Sequence, residues 1–281
     1  VLKGQMGFDN PEIETGRMSL RSECFRVQPG ADGDAAWRNT LEECRVDNLW
    51  EVWDFRHSCR PPPAYDQDTP EPGLVIRFPT EIRFKYNLFG HQLGPMDHAY
   101  DPSRFATKIY GVGLWLTGYD HSALAETPRV YLVPTGADVM TVPNSPDFTP
   151  RHWHVVNQRI PVPYPMSQAD LDEPRYIPAS DALNGSFSDI VRFSALRAYH
   201  DTGYFDEAQL TYDCRLIGRS VWNTEWLLII PGGTLLHDAE EGIERFVYGA
   251  LTDPTDPTSP RDGNGVDDIK LHFMTYSHPG G

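Results

Sequence analysis

Three short stretches carry residue types that could do chemistry. His152-Trp153-His154 places two imidazoles two residues apart. On an extended strand that spacing puts both rings on one face, about 7 Å apart, which suits a transition metal. A jelly-roll metalloenzyme also needs a carboxylate close by. The residues after His154 read VVNQRIP, with no Glu, so His200, His237 or His272 could complete such a site only through folding. The second stretch gathers Asp262, Asn264, Asp267 and Asp268 around Gly263 and Gly265. Alternate oxygen donors on a glycine-rich turn are calcium chemistry. Val266 stands at the fifth position and no Glu closes the loop. Any calcium site is therefore expected to be weak, roughly 10⁻⁴ to 10⁻³ M. The third stretch is WNTEWLLIIPGGT, residues 222–234, an apolar run that meets a glycine turn and then a charged, helix-like segment. Strand, glycine turn and helix form the layout of a phosphate loop. Here no Lys or Arg follows until Arg245, and Asp238, Glu240 and Glu241 lie where a phosphate would dock. The stretch reads instead as a core strand leaving its sheet by a glycine turn.

Nucleophile signatures are missing: the chain has no G-x-S-x-G and no H-E-x-x-H. Ser194, His200 and Asp201 can be drawn as a triad, but any chain with ten histidines permits that. Aromatic residues are plentiful. Trp115, Trp222 and Trp226 lie within apolar runs and belong to the core, whereas Tyr65, Tyr100, Tyr119 and Tyr164 fall in loops, where they could stack on sugar rings. Cys24, Cys44, Cys59 and Cys214 form no C-x-x-C pair, so no structural zinc is signalled. The first three leave two readings open, one disulfide or buried thiols.

The elements that must position these residues are mostly strands. Asp34–Arg45 has helical spacing, with Trp37, Leu41 and Cys44 on one side, and a second helix is expected from Asn48 to Cys59, stopped by Pro61-Pro62-Pro63. Residues 1–63 therefore read as a helical N-terminal arm or cap, and 64–73 as a linker loop. From Leu74 the pattern turns to period two: Leu74, Ile76 and Phe78, then Ile82, Phe84 and Tyr86. Strands are also expected at 108–116, 129–133, 153–160, 191–199, 210–217, 222–230 and 269–276. Pro161, Pro163 and Pro165 confine their segment to a sheet edge. Asp238–Tyr248 reads as a helix capped by Asp238, with Ile243, Phe246 and Val247 as its apolar stripe. About nine strands separated by turn signals give an all-β class. The expected fold is an antiparallel two-sheet sandwich, jelly-roll-like, over residues 74–281.

Composition excludes some partners. The formal charge of −16 repels nucleic-acid phosphates and anionic headgroups. No run approaches the ~18 apolar residues of a helical membrane span. The chain opens at Val1 without a signal-like segment, and the expectation is a processed protein or the tail of a longer one.

Two phrases suggest a relationship. Residues 184–190 read NGSFSDI and residues 266–277 read VDDIKLHFMTYS. A Gly-Ser-Phe-x-Asp-Ile phrase with such a closing strand resembles the C-terminal, partner-binding β-sandwich of toxin-complex A-type subunits. GFDNPEIETGRMSLRSECFRV, residues 7–27, likewise looks like the entry into C-terminal modules of large secreted bacterial proteins. The resemblance implies an extracellular, non-catalytic docking module whose partner is another protein component or the rest of a larger polypeptide. The alternatives are a carbohydrate-binding module, using the loop tyrosines, or a jelly-roll metalloenzyme, using His152 and His154. Three signs separate these readings. An exposed apolar patch marks docking, a groove of tyrosines marks sugar binding, and a converging His/carboxylate pocket marks an enzyme.

Overall fold

The computed structural model describes residues 12–59, 69–126, 128–141, 149–153, 162–165, 216 and 219–279. Its elements are β1 (Glu12–Ser19), a π-type turn (Leu20–Cys24), α1 (Ala31–Glu43), β2 (Arg45–Val46), a 3₁₀ turn (Leu49–Glu51) and α2 (Trp53–Ser58). Then follow β3 (Gly73–Phe78), β4 (Phe105–Thr117), β5 (Arg129–Pro134), β6 (Asp138–Thr141), β7 (Pro150–Trp153) and β8 (Val162–Pro165). The last are β9 (Trp226–Pro231), α3 (Gly232–Leu235), α4 (Ala239–Tyr248) and β10 (Asp268–His278). The described chain is mostly strand, in antiparallel sheets, with few helices. One sheet has the order β1-β10-β4, a second β2-β3-β9-β5-β8, and β6 pairs with β7; none of them closes on itself. Among the described residues no helix is long and apolar enough to cross a membrane.

The apolar run at Trp226 is continuous because both faces of β9 are covered. Strand side chains alternate between faces. Trp226, Leu228 and Ile230 join Ile109, Leu114, Ile269, Leu271 and Phe273 from the three-stranded sheet in one core. Leu227 and Ile229 point the other way, onto Leu49, Trp50, Phe55 and Tyr131. The 3₁₀ turn and α2 thus close the second face, where Phe55 meets Tyr131 edge-on at 6.0 Å. A strand buried on both faces has no polar alternation to display.

The helices follow their apolar stripes. In α1, Trp37 and Leu41 are buried, and the Trp37 indole donates to the Val266 carbonyl at 3.0 Å. In α4, the Asp238 carboxylate accepts the Glu241 N–H at the N-cap, and Ile243, Phe246 and Val247 face the core. The helix expected from Asn48 to Cys59 is divided. Asn48 caps the 3₁₀ turn, Val52 is extended, and α2 follows. The proline segment runs at the outer edge of the five-stranded sheet as β8, where missing N–H groups cost least. Cys24, Cys44 and Cys59 are free thiols. Burial raises their pKa values, to about 12 for Cys24 and about 11 for Cys44.

Two segments differ from the sequence pattern. Residues 12–19 form a strand along β10, so the described part of 1–63 shares the core with the sheets. Gly16 allows this: a Cβ there would stand 2.6 Å from His98 Nε2. Residues 82–86 alternate like a strand but lie in the loop between β3 and β4, because Lys85 takes a left-handed φ of 66° and ends any ladder. The expected strands at 191–199 and 210–217 and the phrase at 184–190 lie outside the described residues, apart from Leu216.

Candidate functional site

The loop over residues 79–104 is long, and its interior is polar. Its root is fixed by Thr80, whose hydroxyl accepts the Trp226 indole N–H at 2.8 Å and donates to the Val221 carbonyl at 2.6 Å. Asn87 is fully buried at its centre. The Asn87 carbonyl oxygen accepts the N–H groups of Phe89 and His91, and its amide donates to the Glu23 carbonyl at 3.0 Å and to Asp97 at 3.4 Å. This one side chain both makes the turn and ties it to the π-type turn 64 residues earlier.

That tie is one of several, and together they form a clasp. The Glu23 carboxylate accepts the Ser19 N–H at 2.8 Å and the His98 N–H at 2.6 Å. Arg26 grips Asp97 at 2.8 Å and donates to the Gln92 carbonyl at 2.7 Å. His91 Nε2 donates to the Cys24 carbonyl at 2.8 Å; a carbonyl only accepts, so this nitrogen carries the proton. Burial pushes the Glu23 carboxyl up to about 7, against the two N–H donors and with the help of nearby Asp97. Burial also acts to raise Asp97, but hydrogen bonds from Arg26, Gly94 N–H and Asn87 outweigh it and hold that carboxyl below its usual value. Burial lowers the His98 ring.

Three large apolar side chains of the clasped loop, together termed its tip, stand in solvent. Met96 is 94% exposed, Phe84 70% and Leu93 43%. The other large apolar side chains exposed among the described residues, Ile13, Trp53 and Tyr110, sit on three different elements. Arg83 and Lys85 flank Phe84, with the Arg83 guanidinium 4.2 Å above the Tyr86 ring and the Lys85 ammonium 5.5 Å from the Phe84 ring centre. Among the described residues four non-glycine residues have positive φ, and three of them, Arg26, Lys85 and Met96, belong to this loop and its clasp. Each costs about 1 kcal/mol or more and persists where surrounding contacts dictate the backbone, as they do at recognition sites.

The residues singled out by type are dispersed. Tyr100 and Tyr119 are 3% and 7% exposed, and the Tyr119 hydroxyl donates to the Ala125 carbonyl, so neither ring offers a face to a sugar. Tyr164 lies on β8; Tyr65 lies outside the described residues. His152 is exposed on β7, His272 is buried on β10 against Trp115, and His154 and His200 lie outside the described residues. Asp262 accepts from the Asn264 N–H and amide, whereas Asp268 accepts the Arg21 N–H and the Asp267 carbonyl accepts the Arg21 guanidinium. Among the described residues no group of three or more His, Cys, Asp or Glu could hold a metal ion.

The glycine turn after β9 also has an answer. The Gly233 N–H, which a phosphate would use, donates to the Glu71 carboxylate at 2.7 Å, and the Gly232 N–H donates to the Pro72 carbonyl. The cleft there, about 560 Å³, is lined by Asp47, Glu71, His237, Asp238 and Glu240. Internal carboxylates occupy the anion's place.

The tip was not singled out from sequence because Ile82-Arg83-Phe84-Lys85-Tyr86 also fits an amphipathic strand. The available signal was Asn87 followed by Gly90, a turn chemistry that argues against continuing it. No family model matches the chain, and no curated protein or solved structure matches it either.

Proposed function

We propose that this chain is a non-catalytic docking module that binds another protein component, or the rest of a larger polypeptide, through the tip of the 79–104 loop. The observation that carries this reading is Phe84 and Met96 held in solvent on a loop whose backbone is fixed from beneath. Exposed apolar side chains on a preorganised loop are the usual anchors of protein recognition, since little ordering cost remains at binding. The tip also carries Arg83 and Lys85 in a chain of net charge −16. Opposite charge at the rim steers association and selects partners. The partner segment is therefore apolar and flanked by carboxylates. The resemblance of residues 184–190 and 266–277 to toxin-complex docking modules supports the same reading, with a bacterial, extracellular setting and a jelly-roll-like sandwich as scaffold.

Selection from a displayed library of random 12-residue peptides tests this. Enriched peptides should pair one or two large apolar residues with Asp or Glu, and Phe84→Ser combined with Met96→Ser should weaken them at least tenfold while leaving the melting temperature unchanged. If no peptide is enriched, or if enriched peptides bind the double variant equally well, the docking surface is not this loop.

A further inference from the structure

One side chain of the tip carries a thioether, and it stands on a turn whose backbone does not favour it. We propose that Met96 is an oxidation site: hydroperoxides convert its sulfur to the sulfoxide ahead of the other described methionines, which turns the most exposed side chain of the tip from apolar to polar. Any effect on docking rests on the function proposed above; the modification itself does not.

Local geometry sets the argument. Gly94-Pro95-Met96-Asp97 is a tight turn, closed by the Asp97 N–H donating to the Gly94 carbonyl at 3.3 Å. Proline in second place and a left-handed residue in third, Met96 at a φ of 72°, give the type II layout. That third place ordinarily takes Gly or Asn, because other side chains are strained there. Met96 holds it at that cost, with 94% of the residue exposed. The Asp97 side chain, only 5% exposed, fills the inner side of the turn, where it accepts the Gly94 N–H at 2.9 Å and meets Arg26 and Asn87. Met96 stands outward from it.

Exposure then decides reactivity. A peroxide oxygen must reach a lone pair on sulfur, and a sulfur enclosed in a packed core offers it no path. Met18 and Met274 are buried, and Met140 is half-buried on β6. The thiols of Cys24, Cys44 and Cys59 react as thiolates, and burial raises the pKa of all three. Met96 meets neither barrier.

The step balances with the hydroperoxide ROOH as its one co-reactant. A sulfur lone pair attacks the terminal oxygen, a sulfur–oxygen bond forms and the O–O bond breaks. The proton of the attacked hydroxyl passes to the departing alkoxide, giving ROH. Sulfur loses two electrons and the peroxide gains them. The product is a polar, chiral side chain in the same place. The hydrogen bonds that hold the loop, from Asn87, Glu23 and Arg26, do not use the sulfur, so the scaffold persists. A sulfoxide oxygen carried into an apolar pocket gives up its water and gains no donor, so docking weakens.

The test uses the intact chain and no partner. Hydrogen peroxide is added to the folded chain and to the chain unfolded in urea, and oxygen uptake at each methionine is followed by mass spectrometry of proteolytic peptides. Met96 should oxidise in the folded chain within about twofold of its unfolded rate, whereas Met18 and Met274 should slow at least tenfold. As Met96 converts, the melting temperature should hold and the folded chain should elute earlier from a phenyl column. Met96→Leu, compared before and after peroxide, should show no such shift. A folded-state Met96 rate as slow as that of Met18 overturns the proposal. So does a Met96→Leu chain whose elution moves as far as that of the unsubstituted chain. Peptides selected on the reduced chain should then bind the oxidised chain at least tenfold more weakly. If peptides are enriched but bind both forms equally, Met96 does not control docking. If none is enriched, the docking reading falls while the oxidation rates and elution shift still decide the site, so the two readings fail separately.

Discussion

The 79–104 loop and the loop between α4 and β10 (residues 249–267) are both long, irregular and followed by a strand, yet they are held in opposite ways. In the second loop, side chains satisfy their neighbours. Asp253 accepts from Thr255, Asp256 from Thr258 and Asp262 from Asn264, each two residues on. In the first loop the decisive bonds span 64 to 75 positions, from Glu23, Cys24 and Arg26 to Asn87, His91, Asp97 and His98. From residue 250 to 262 the second loop is a chain of local turns with a polar outside, and distant side chains hold its end, where the Gly263, Val266 and Asp267 carbonyls accept from Arg38, Trp37 and Arg21. The other is a scaffolded platform with its polar groups inside and its apolar groups out. Carboxylates are denser in the second loop, but three large apolar side chains, Phe84, Leu93 and Met96, stand exposed on the first.

The comparison breaks most visibly at Asn87. Asn87→Ala removes two donated and two accepted hydrogen bonds at a fully buried position. Backbone N–H groups left dry cost about 1–3 kcal/mol each when they find no water. A loss of about 3 kcal/mol in denaturant unfolding is expected, with exchange throughout residues 85–99 rising together. A loss below ~1 kcal/mol would mean the loop is held mainly by its own backbone, as the second loop is.

Arg26→Ala is the next step down. The Arg26–Asp97 pair is 2.8 Å long, with the arginine side chain about one-third exposed. Solvent screening limits such pairs to about 1 kcal/mol. Because the donors hold Asp97 below its ordinary value, the stability it contributes is present above about pH 4 and lost as pH falls through its folded value. The variant should therefore lose about 1 kcal/mol at pH 7 and less at pH 3. It should also move the Glu23 midpoint above about 7, since Arg26 favours the ionised carboxyl. A midpoint that stays in place would mean that the Arg26 charge does not reach the Glu23 carboxyl.

The contrast also explains what was legible in sequence. The α4 cap at Asp238, the α1 stripe and the edge prolines depend on neighbours within a few residues, so pattern alone located them. The covering of β9 on both faces was visible as unbroken apolarity. The clasp was not legible, because nothing in the sequence near Glu23 says that Asn87 and His98 will surround it. Strand β1 was missed for the same reason: Glu12, Glu14 and Arg17 read as polar coil until β10 supplies the partner. For the candidate site the sequence supplied residue types. Calcium donors and loop tyrosines were nameable from composition, but their burial and direction depend on the tertiary fold. Tyr100 and Tyr119 turned inward because ring area is best removed from water.

The smallest expected effect lies in the second loop. Its three acid and amide candidates and Asp268 at the start of β10 do not share a direction: Asp262 and Asn264 bond to each other, the Asp267 carbonyl takes the Arg21 guanidinium, and Asp268 accepts the Arg21 N–H. Burial raises the Asp268 carboxyl, which marks it as a group facing the core side of the turn rather than open solvent. Calcium takes six or more oxygens at 2.3–2.6 Å and stabilises a fold only in proportion to its preference for the native state. To gather these donors it would have to displace Arg21 from two of them. Millimolar calcium should therefore shift the melting temperature by less than about 1 °C relative to chelator, and Asp262→Ala should change stability by no more than about 0.5 kcal/mol, as for an exposed surface position. A calcium-dependent rise of more than ~2 °C that disappears in Asp262→Ala would reverse the comparison, because a cation would then be doing for residues 249–267 what Glu23 and Asn87 do for the 79–104 loop.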